Sequence, residues 1–436
     1  MRPEVTPASD WHFPTPQTRR LDNGLDMWIF DLPRQYVAAV DLILPTPLSA
    51  EPRSTEGLAT VALGAIDEGT RLNPAGRITE LLELQGAAVQ GVAGHAWTRL
   101  SLDAPVHRLP SALELFAEVL SIPDYASSDV ERHIEWQVAA FQTRLASPSA
   151  MAHQALRAAL FGEDQREGRP AAGTPETLET ITQRHVKAWH ARYYSPAGAT
   201  MVLAGDLSGI DIDRLCVSLE RWRGGAAGDG PEPQPRAPRR LLVDMPSAVQ
   251  ASVNLAQLTV GRDHPDWAAL KLGGHALAGA FASRLNLELR ERLGYTYGIS
   301  GGFSARPTGG QFGLAGSFSV DVSADAIRRM LDAVALSVEF TGTEIEDVRR
   351  YLIGIGPLAN ETAADVAGQA ATLAAAGLGS DHVNQHMHDL SRPGAAEVTA
   401  AFRRAVTASE LSIAVTGPAE VLEPALRDVG LAFEVV

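Results

Sequence analysis

Leu285, Leu289 and Leu293 recur at every fourth position, with Glu288, Arg290, Glu291 and Arg292 between them. That spacing predicts a helix with one apolar edge. Gly294 stands where a left-handed C-terminal cap is expected. Beyond it, Tyr295, Tyr297 and Ile299 alternate with Thr296, Gly298 and Ser300, which predicts a strand with an aromatic face. Arg290 then falls in the last helical turn and Tyr297 just inside the strand. The intervening turn can bring a guanidinium and a phenol to one place, and the pair is the leading candidate for a substrate-binding device.

The same patterns organise the rest of the chain. Arg19–Phe30 reads as a hairpin about Asn23-Gly24, the strongest two-residue turn signal. Apolar runs predict strands at Val37–Leu44, Trp97–Leu102, Thr200–Ala204, Leu241–Val243, Ala251–Leu258, Gly310–Val320 and Leu411–Val415. Helical periodicity marks Thr55–Ile66, Ile78–Leu84, Pro110–Ile122, Ser128–Leu145, Met151–Phe161, Thr182–Tyr194, Trp267–Ala278, Ala324–Leu336 and Thr343–Ile353. Thr174-Pro175 has the cap-then-proline order of a helix start.

Residues 1–16 carry no periodicity and read as a tail. Residues 224–240 combine four prolines with four glycines and no apolar side chain larger than alanine, the composition of a linker. On either side the plan repeats. The strand Thr200–Ala204 runs into Gly205-Asp206, and Leu411–Val415 runs into Thr416-Gly417. Each follows a polar break and a helix holding an aromatic residue (Trp189 or Phe402). The expectation is an α+β chain of two homologous domains of roughly 200 residues each, at 17–223 and 241–436. Each would be a mainly antiparallel sheet packed with helices.

Composition narrows the function classes. The chain has 436 residues, 45% of them hydrophobic, and a formal net charge of −15. That charge, without any run of Lys or Arg, argues against nucleic acid as a partner. The single cysteine, Cys216, forms no internal disulfide and reads as a small buried residue. The opening residues contain no apolar segment of a secretory signal, and no run is long enough to span a membrane. A cytoplasmic protein is expected.

Five short elements then fall in a recognisable order: Leu21-Asp22-Asn23-Gly24-Leu25, Glu56-Gly57-Leu58-Ala59, Glu68-Gly69-Thr70, Gly173-Thr174-Pro175-Glu176, and Leu289-Arg290-Glu291-Arg292-Leu293-Gly294 with Tyr297. On these the chain resembles the insulinase/pitrilysin (M16) family of zinc peptidases, and more narrowly its short bacterial two-domain members. The resemblance covers nearly the whole chain. It implies a clam-shell half enclosing a chamber, with a catalytic H-x-x-E-H helix between Gly57 and Gly69. In this chain the three positions are Thr60, Leu63 and Gly64, and the place of the third, downstream ligand is Ala140. None of the four can bind zinc or act as a base, and a zinc site needs three protein ligands. The resemblance also implies that Arg290 and Tyr297 donate hydrogen bonds to the substrate carbonyl, where charge develops on oxygen.

The reading that follows is a non-catalytic subunit of a heterodimeric zinc endopeptidase. It would hold no metal itself. The zinc would sit on a homologous H-x-x-E-H partner, and the substrate would be an extended peptide such as a precursor or leader. The alternative is an inactive structural or assembly protein of the same fold. Other constellations carry less. His382 and His386 have helical ligand spacing but no base between them. His185 and His190 fit surface and packing roles, Glu131 and Glu135 fit a solvated face, and Gly301-Gly302 lacks the Lys-Ser/Thr helix of a phosphate loop.

Overall fold

The computed structural model describes residues 11–225, 228, 233–306 and 308–436. Twelve strands form two six-stranded sheets. The first holds β1 (Gln17–Arg20), β2 (Asp26–Asp31), β3 (Val37–Leu44), β4 (Ala88–Ala93), β5 (Thr98–Pro105) and β6 (Thr200–Gly205), in the order β1-β2-β6-β3-β5-β4. The second holds β7 (Arg240–Asp244), β8 (Gln250–Thr259), β9 (Ile299–Ala305), β10 (Gly310–Ser319), β11 (Ser412–Gly417) and β12 (Glu434–Val435), in the order β12-β7-β11-β8-β10-β9.

The duplication read from the sequence is a topological identity. Replacing β2 through β6 by β7 through β11 turns one sheet order into the other, apart from the added edge strands. In both, the first and last strands of the five pair in parallel and the remaining pairs are antiparallel. The chain is therefore α+β, with two sheets of one design.

Two compact units result. One comprises the described residues of Met1–Phe141, Ala171–Glu232 and Ile355–Asn384; the other comprises Gln142–Pro170, Pro233–Gly354 and Gln385–Val436. Each sheet is covered on one face by helices that follow its own strands. The opposite face is covered by a helix from elsewhere in the chain. In the first unit Ala363–Ala375 lies on β3 and β6, burying Val366, Ala367, Ala370 and Ala371 against Ala39, Ile43, Val202 and Ala204. Its small residues permit close approach, and Gly368 leaves room for Arg99, whose guanidinium clasps the buried Asp41 through Nε at 2.6 Å and Nη2 at 2.7 Å. In the second unit Pro148–Phe161 lies on β7, β11 and β8.

Several predicted elements shift in form. The Asn23-Gly24 turn sits in a five-residue loop, because Asn23 spends its amide on the carbonyls of Leu219 and Trp222. The run Thr55–Ile66 is helical only over Leu58–Gly64: Gly57 is left-handed at φ +100, and a Cβ there would meet the Ala172 carbonyl at 2.6 Å. Trp267–Ala278 changes at His275 from an α-helix to a π-helical turn, His275–Gly279. Of the expected tail, residues 1–10 lie outside the described residues, while Phe13 is buried and donates its N–H to Asn384 Oδ1 at 2.8 Å. Of the expected linker, 226–227 and 229–232 also lie outside them. Among the described residues no helix is long and apolar enough to cross a membrane.

Candidate functional site

The first place to look is the helix Leu58–Gly64. Two elements noted in the sequence meet at its start. The Gly173 turn packs against the Glu56 carbonyl, which accepts a hydrogen bond from Thr177 Oγ1 at 2.8 Å. Glu51 Oε1 accepts from the N–H groups of Gly57 and Ala59, satisfying helix-end donors. Leu63 is buried and packs on β4, where a Cβ at Gly91 would touch it at 2.8 Å.

Gly64 faces His133 of the helix Ser127–Leu145. A Cβ on Gly64 would lie 2.7 Å from His133 Nδ1, well inside normal contact. His133 is only 8% exposed, and its Nε2 stands 2.7 Å from Glu68 Oε1. Glu68 also pairs with Arg132 at 2.8 Å, and Arg132 with Asp129 at 2.9 Å. Burial opposes ionisation of Glu68, but the hydrogen bonds from His133 and Arg132 outweigh it and lower its pKa. Burial pushes the neighbouring Asp67 carboxyl up to about 6. The imidazole thus closes the helix at the position where a ligand side chain would have to project. Among the described residues no group of three His, Cys, Asp or Glu could hold a metal ion.

The second place is the segment carrying Arg290. Leu285 and Leu289 are buried, as the four-residue spacing requires. The helix Asn286–Arg292 is wound as a π-helix, with the Leu293 N–H on the Glu288 carbonyl at 3.1 Å. Gly294 is left-handed at φ +67, as expected of the cap. Tyr297 is not in a strand: β9 begins at Ile299, because Thr296 Oγ1 bonds both the N–H and the carbonyl of Gly298 and bends the chain first. The phenol projects from this loop with 95% exposure.

The charges of this segment are sorted. Arg292 pairs with Glu288, which also binds Arg329 at 2.8 Å; Arg329 reaches Asp325 at 2.7 Å, and Asp325 accepts from Tyr295 Oη at 3.3 Å. Arg290 stays outside that network. Its Cζ lies 3.9 Å from the ring centroid of Phe281, itself 68% exposed, and its Nε is 3.5 Å from Glu291. Arg290 and Tyr297 do not hydrogen-bond each other, and among the described residues the guanidinium's one ion pair is the 3.5 Å contact with Glu291. What locks the loop to the helix is Asn286. Its Nδ2 donates to the carbonyls of Ala280 and Ile299 and to Ser283 Oγ, and its Oδ1 accepts from the Ile299 N–H at 2.8 Å.

Residues 180–352 match the family model described as the peptidase M16 inactive domain. A solved structure described as a peptidase M16 inactive domain from Pseudomonas fluorescens superposes with a TM-score of 0.84 at 26% identity, covering 92% of this chain and 98% of that one. Over residues 180–352, and in the fold of the whole chain, the protein is similar to M16 inactive domains. Further relatives carry divergent names. A Mycobacterium tuberculosis protein named an uncharacterized zinc protease is 26% identical over 306 residues, 68% of this chain and 69% of its own length. A Helicobacter pylori protein named a non-peptidase homolog is 24% identical over 319 residues, 72% of this chain and 73% of its own.

Two of the histidines weighed in the sequence, His190 and His185, have structural work. His190 Nε2 is 3.0 Å from the Leu120 carbonyl, the ring stacks on Tyr194, and burial pulls its pKa down to about 4. His185 closes a capping box with Thr182. Cys216 is buried against Met27. Sequence reasoning missed His133, Phe281 and Asn286. His133 had a signal, since it lies two helical turns before Ala140 and shares its face. Phe281 had none, because an exposed aromatic residue is ordinary in a sequence. Asn286 interrupts the apolar edge LNLEL and could have been marked as a polar residue needing buried partners.

Proposed function

We propose that the chain is the non-catalytic subunit of a heterodimeric M16 zinc endopeptidase, presenting Arg290 and Tyr297 to a peptide held by a metal-bearing partner. The observation that carries the reading is the contrast between the two loci. The helix Leu58–Gly64 is closed by His133 and has no ligands at Thr60, Leu63 and Gly64. Arg290 instead stays outside the Glu288–Arg329–Asp325 network, holding a 3.5 Å contact with Glu291, and the Tyr297 phenol is exposed. The residues at the metal locus do not fit zinc, so no step of the reaction is assigned to it. The ligands and the general base belong to a homologous chain with H-x-x-E-H. Arg290 and Tyr297 would donate to the carbonyl oxygen of the scissile peptide as charge builds there, in an excluded-water setting where such donors count most. The substrate is an extended segment, such as a leader peptide, and the setting is cytoplasmic.

The test is reconstitution. The chain alone should cleave no peptide, and adding the H-x-x-E-H partner should produce cleavage. Arg290→Ala and Tyr297→Phe should each lower kcat of the complex on the order of 10²–10³-fold, with assembly intact by size-exclusion chromatography. Unchanged rates in both variants would overturn the role. Zinc-dependent cleavage by this chain alone would overturn the subunit reading. A stable complex that cleaves nothing would favour the structural alternative.

A further inference from the structure

The sheet face under the helix Pro148–Phe161 changes character along its length. On β8 the side chains of Ala256 and Leu258 point to that face and, with Ala414 and Leu241, are covered by Ala155, Leu156, Ala159 and Leu160. The same face continues through Gln250, Ser252 and Asn254, by the two-residue alternation of a strand. Across the ladder Ser252 faces Ser317, and Asn254 faces Ala315, which is in register with Ser300. Here the first turn of the helix, with Ser149, meets the face, which opens into a pocket of about 260 Å³ with Tyr297 on its wall.

None of the residues lining this pocket is charged, in a chain where 20% of residues are. A merely solvated sheet face would mix in Lys, Glu or Arg. The hydrogen-bonding state is also uneven. Asn254 is committed once its amide is turned to suit its neighbours: Nδ2 then donates to the Val253 carbonyl and Oδ1 accepts from the His153 N–H. Ser252 and Ser317 pair only with each other, at a long 3.3 Å. Among the described residues the side chains of Gln250, Ser300 and Ser149 have no partner.

We infer that this pocket is a subsite for a small, uncharged polar side chain of the peptide, of the Ser, Thr, Asn or Gln class. The inference rests on the substrate role of Tyr297 given above and adds a substrate preference to it. Hydroxyls and amides both donate and accept, so they can satisfy a side-chain amide or hydroxyl in either sense. A carboxylate or ammonium entering the pocket would lose water with no counter-charge in reach. An aliphatic group would cover the serine hydroxyls without bonding them, and sites built to bond a polar group reject the analogue that lacks it.

The experiment measures binding of capped, fluorescent pentapeptides to the full chain by anisotropy, with the central residue Asn, Leu, Asp or Lys. The Asn peptide should bind on the order of tenfold tighter than its isostere Leu and tighter than both charged peptides. Ser252→Ala/Ser317→Ala should erase that preference, with the fold verified by circular dichroism. Gln250→Ala, at an exposed position, provides a second variant that should reduce it. Equal binding of Asn and Leu, a preference for Asp or Lys, or a preference surviving in both variants would overturn the subsite. Arg290→Ala separates the two readings. If it weakens all four peptides equally and no Asn preference exists, only the subsite fails. If the preference exists and Arg290→Ala changes nothing, only the Arg290 role fails.

Discussion

Gly64→Ala adds one methyl group where two effects of opposite sign meet. In an open helix end, alanine is better than glycine by about 0.5–1 kcal/mol. Here the new Cβ would stand 2.7 Å from His133 Nδ1. Forcing an extra methyl into a packed site costs about 1–3 kcal/mol. The ring cannot yield freely, because its other nitrogen is 2.7 Å from Glu68 and its plane meets Trp136 edge-on at 4.8 Å. Moving it would weaken a hydrogen bond to an ionised carboxylate worth about 1.5–3 kcal/mol. The clash wins, and Gly64→Ala should destabilise the first unit by about 1–2 kcal/mol. Urea denaturation followed by far-UV circular dichroism measures this. The decisive arm is the double-mutant cycle with His133→Ala. With the ring gone, the alanine should become neutral or mildly stabilising, giving a coupling of about 1–3 kcal/mol. A stabilising Gly64→Ala in the parent chain, or an equal cost in both backgrounds, would refute the claim that His133 closes this locus.

Asp67 sets a pH dependence in the same unit. Its folded pKa of about 6 exceeds the ordinary 3.8, so the folded state binds the extra proton between those values. Its favourable contribution is complete below pH 4 and is lost as pH rises to 6. The gap is worth about 3 kcal/mol at 1.36 kcal/mol per unit. Asp67→Asn should therefore stabilise the chain at pH 7 by up to that amount and do nothing at pH 3.5, as read by urea midpoints at the two pH values. Asn286→Ala should cost about 2–4 kcal/mol, since it strips the Ile299 N–H and two carbonyls of their partner; hydrogen exchange at Ile299 should accelerate accordingly, and a protected amide would count against the linkage. Phe281→Ala should leave stability within about 0.5 kcal/mol, because the cation–π contact is exposed. In the reconstituted peptidase it should lower kcat, with no further loss when combined with Arg290→Ala. Phe281→Tyr should retain the rate, and additive losses would show that the ring does not position Arg290.

The duplicated sheets were legible because apolar runs of β-branched and aliphatic residues have few alternatives once helices are assigned around them. Val37–Leu44 is a strand to the residue. β4 was not legible: AVQGVA has two valines, a glycine and no clear alternation, and it pairs with β5 only because that strand is already in place. The Arg290 helix was legible from its leucines, but its π winding was not, since buried Leu edges and capping glycines look alike in both helix types. Tyr297 was misplaced by two residues for a local reason. Alternation continued through Thr296-Tyr297-Gly298 in sequence, while the Thr296 hydroxyl turned the backbone away. The loss of metal ligands needed only residue identities. What replaced them did not follow from identities, because the contact of His133 with Gly64 joins two helices far apart in the chain.

On the proposed reading, one copy of the sheet design carries no metal ligands while the other presents a surface to substrate. When a metal-ligating side chain is replaced by a smaller one, the vacated space must be filled or left as a cavity, and cavities cost stability in proportion to their volume. At Gly64 the filling is the buried imidazole of His133, held 2.7 Å from Glu68. Around Tyr297 nothing comparable has happened. An exposed phenol, a guanidinium resting on an exposed ring, and serine hydroxyls paired only with each other are all costs or neutral features in a protein selected for stability alone. If the chain were only a scaffold, substitutions filling the 260 Å³ pocket should be free or beneficial. Ser300→Phe is the direct case. In the reconstituted peptidase it should leave assembly intact and raise KM severalfold. If KM stays the same in the folded variant, the open surface around Tyr297 has no bearing on substrate.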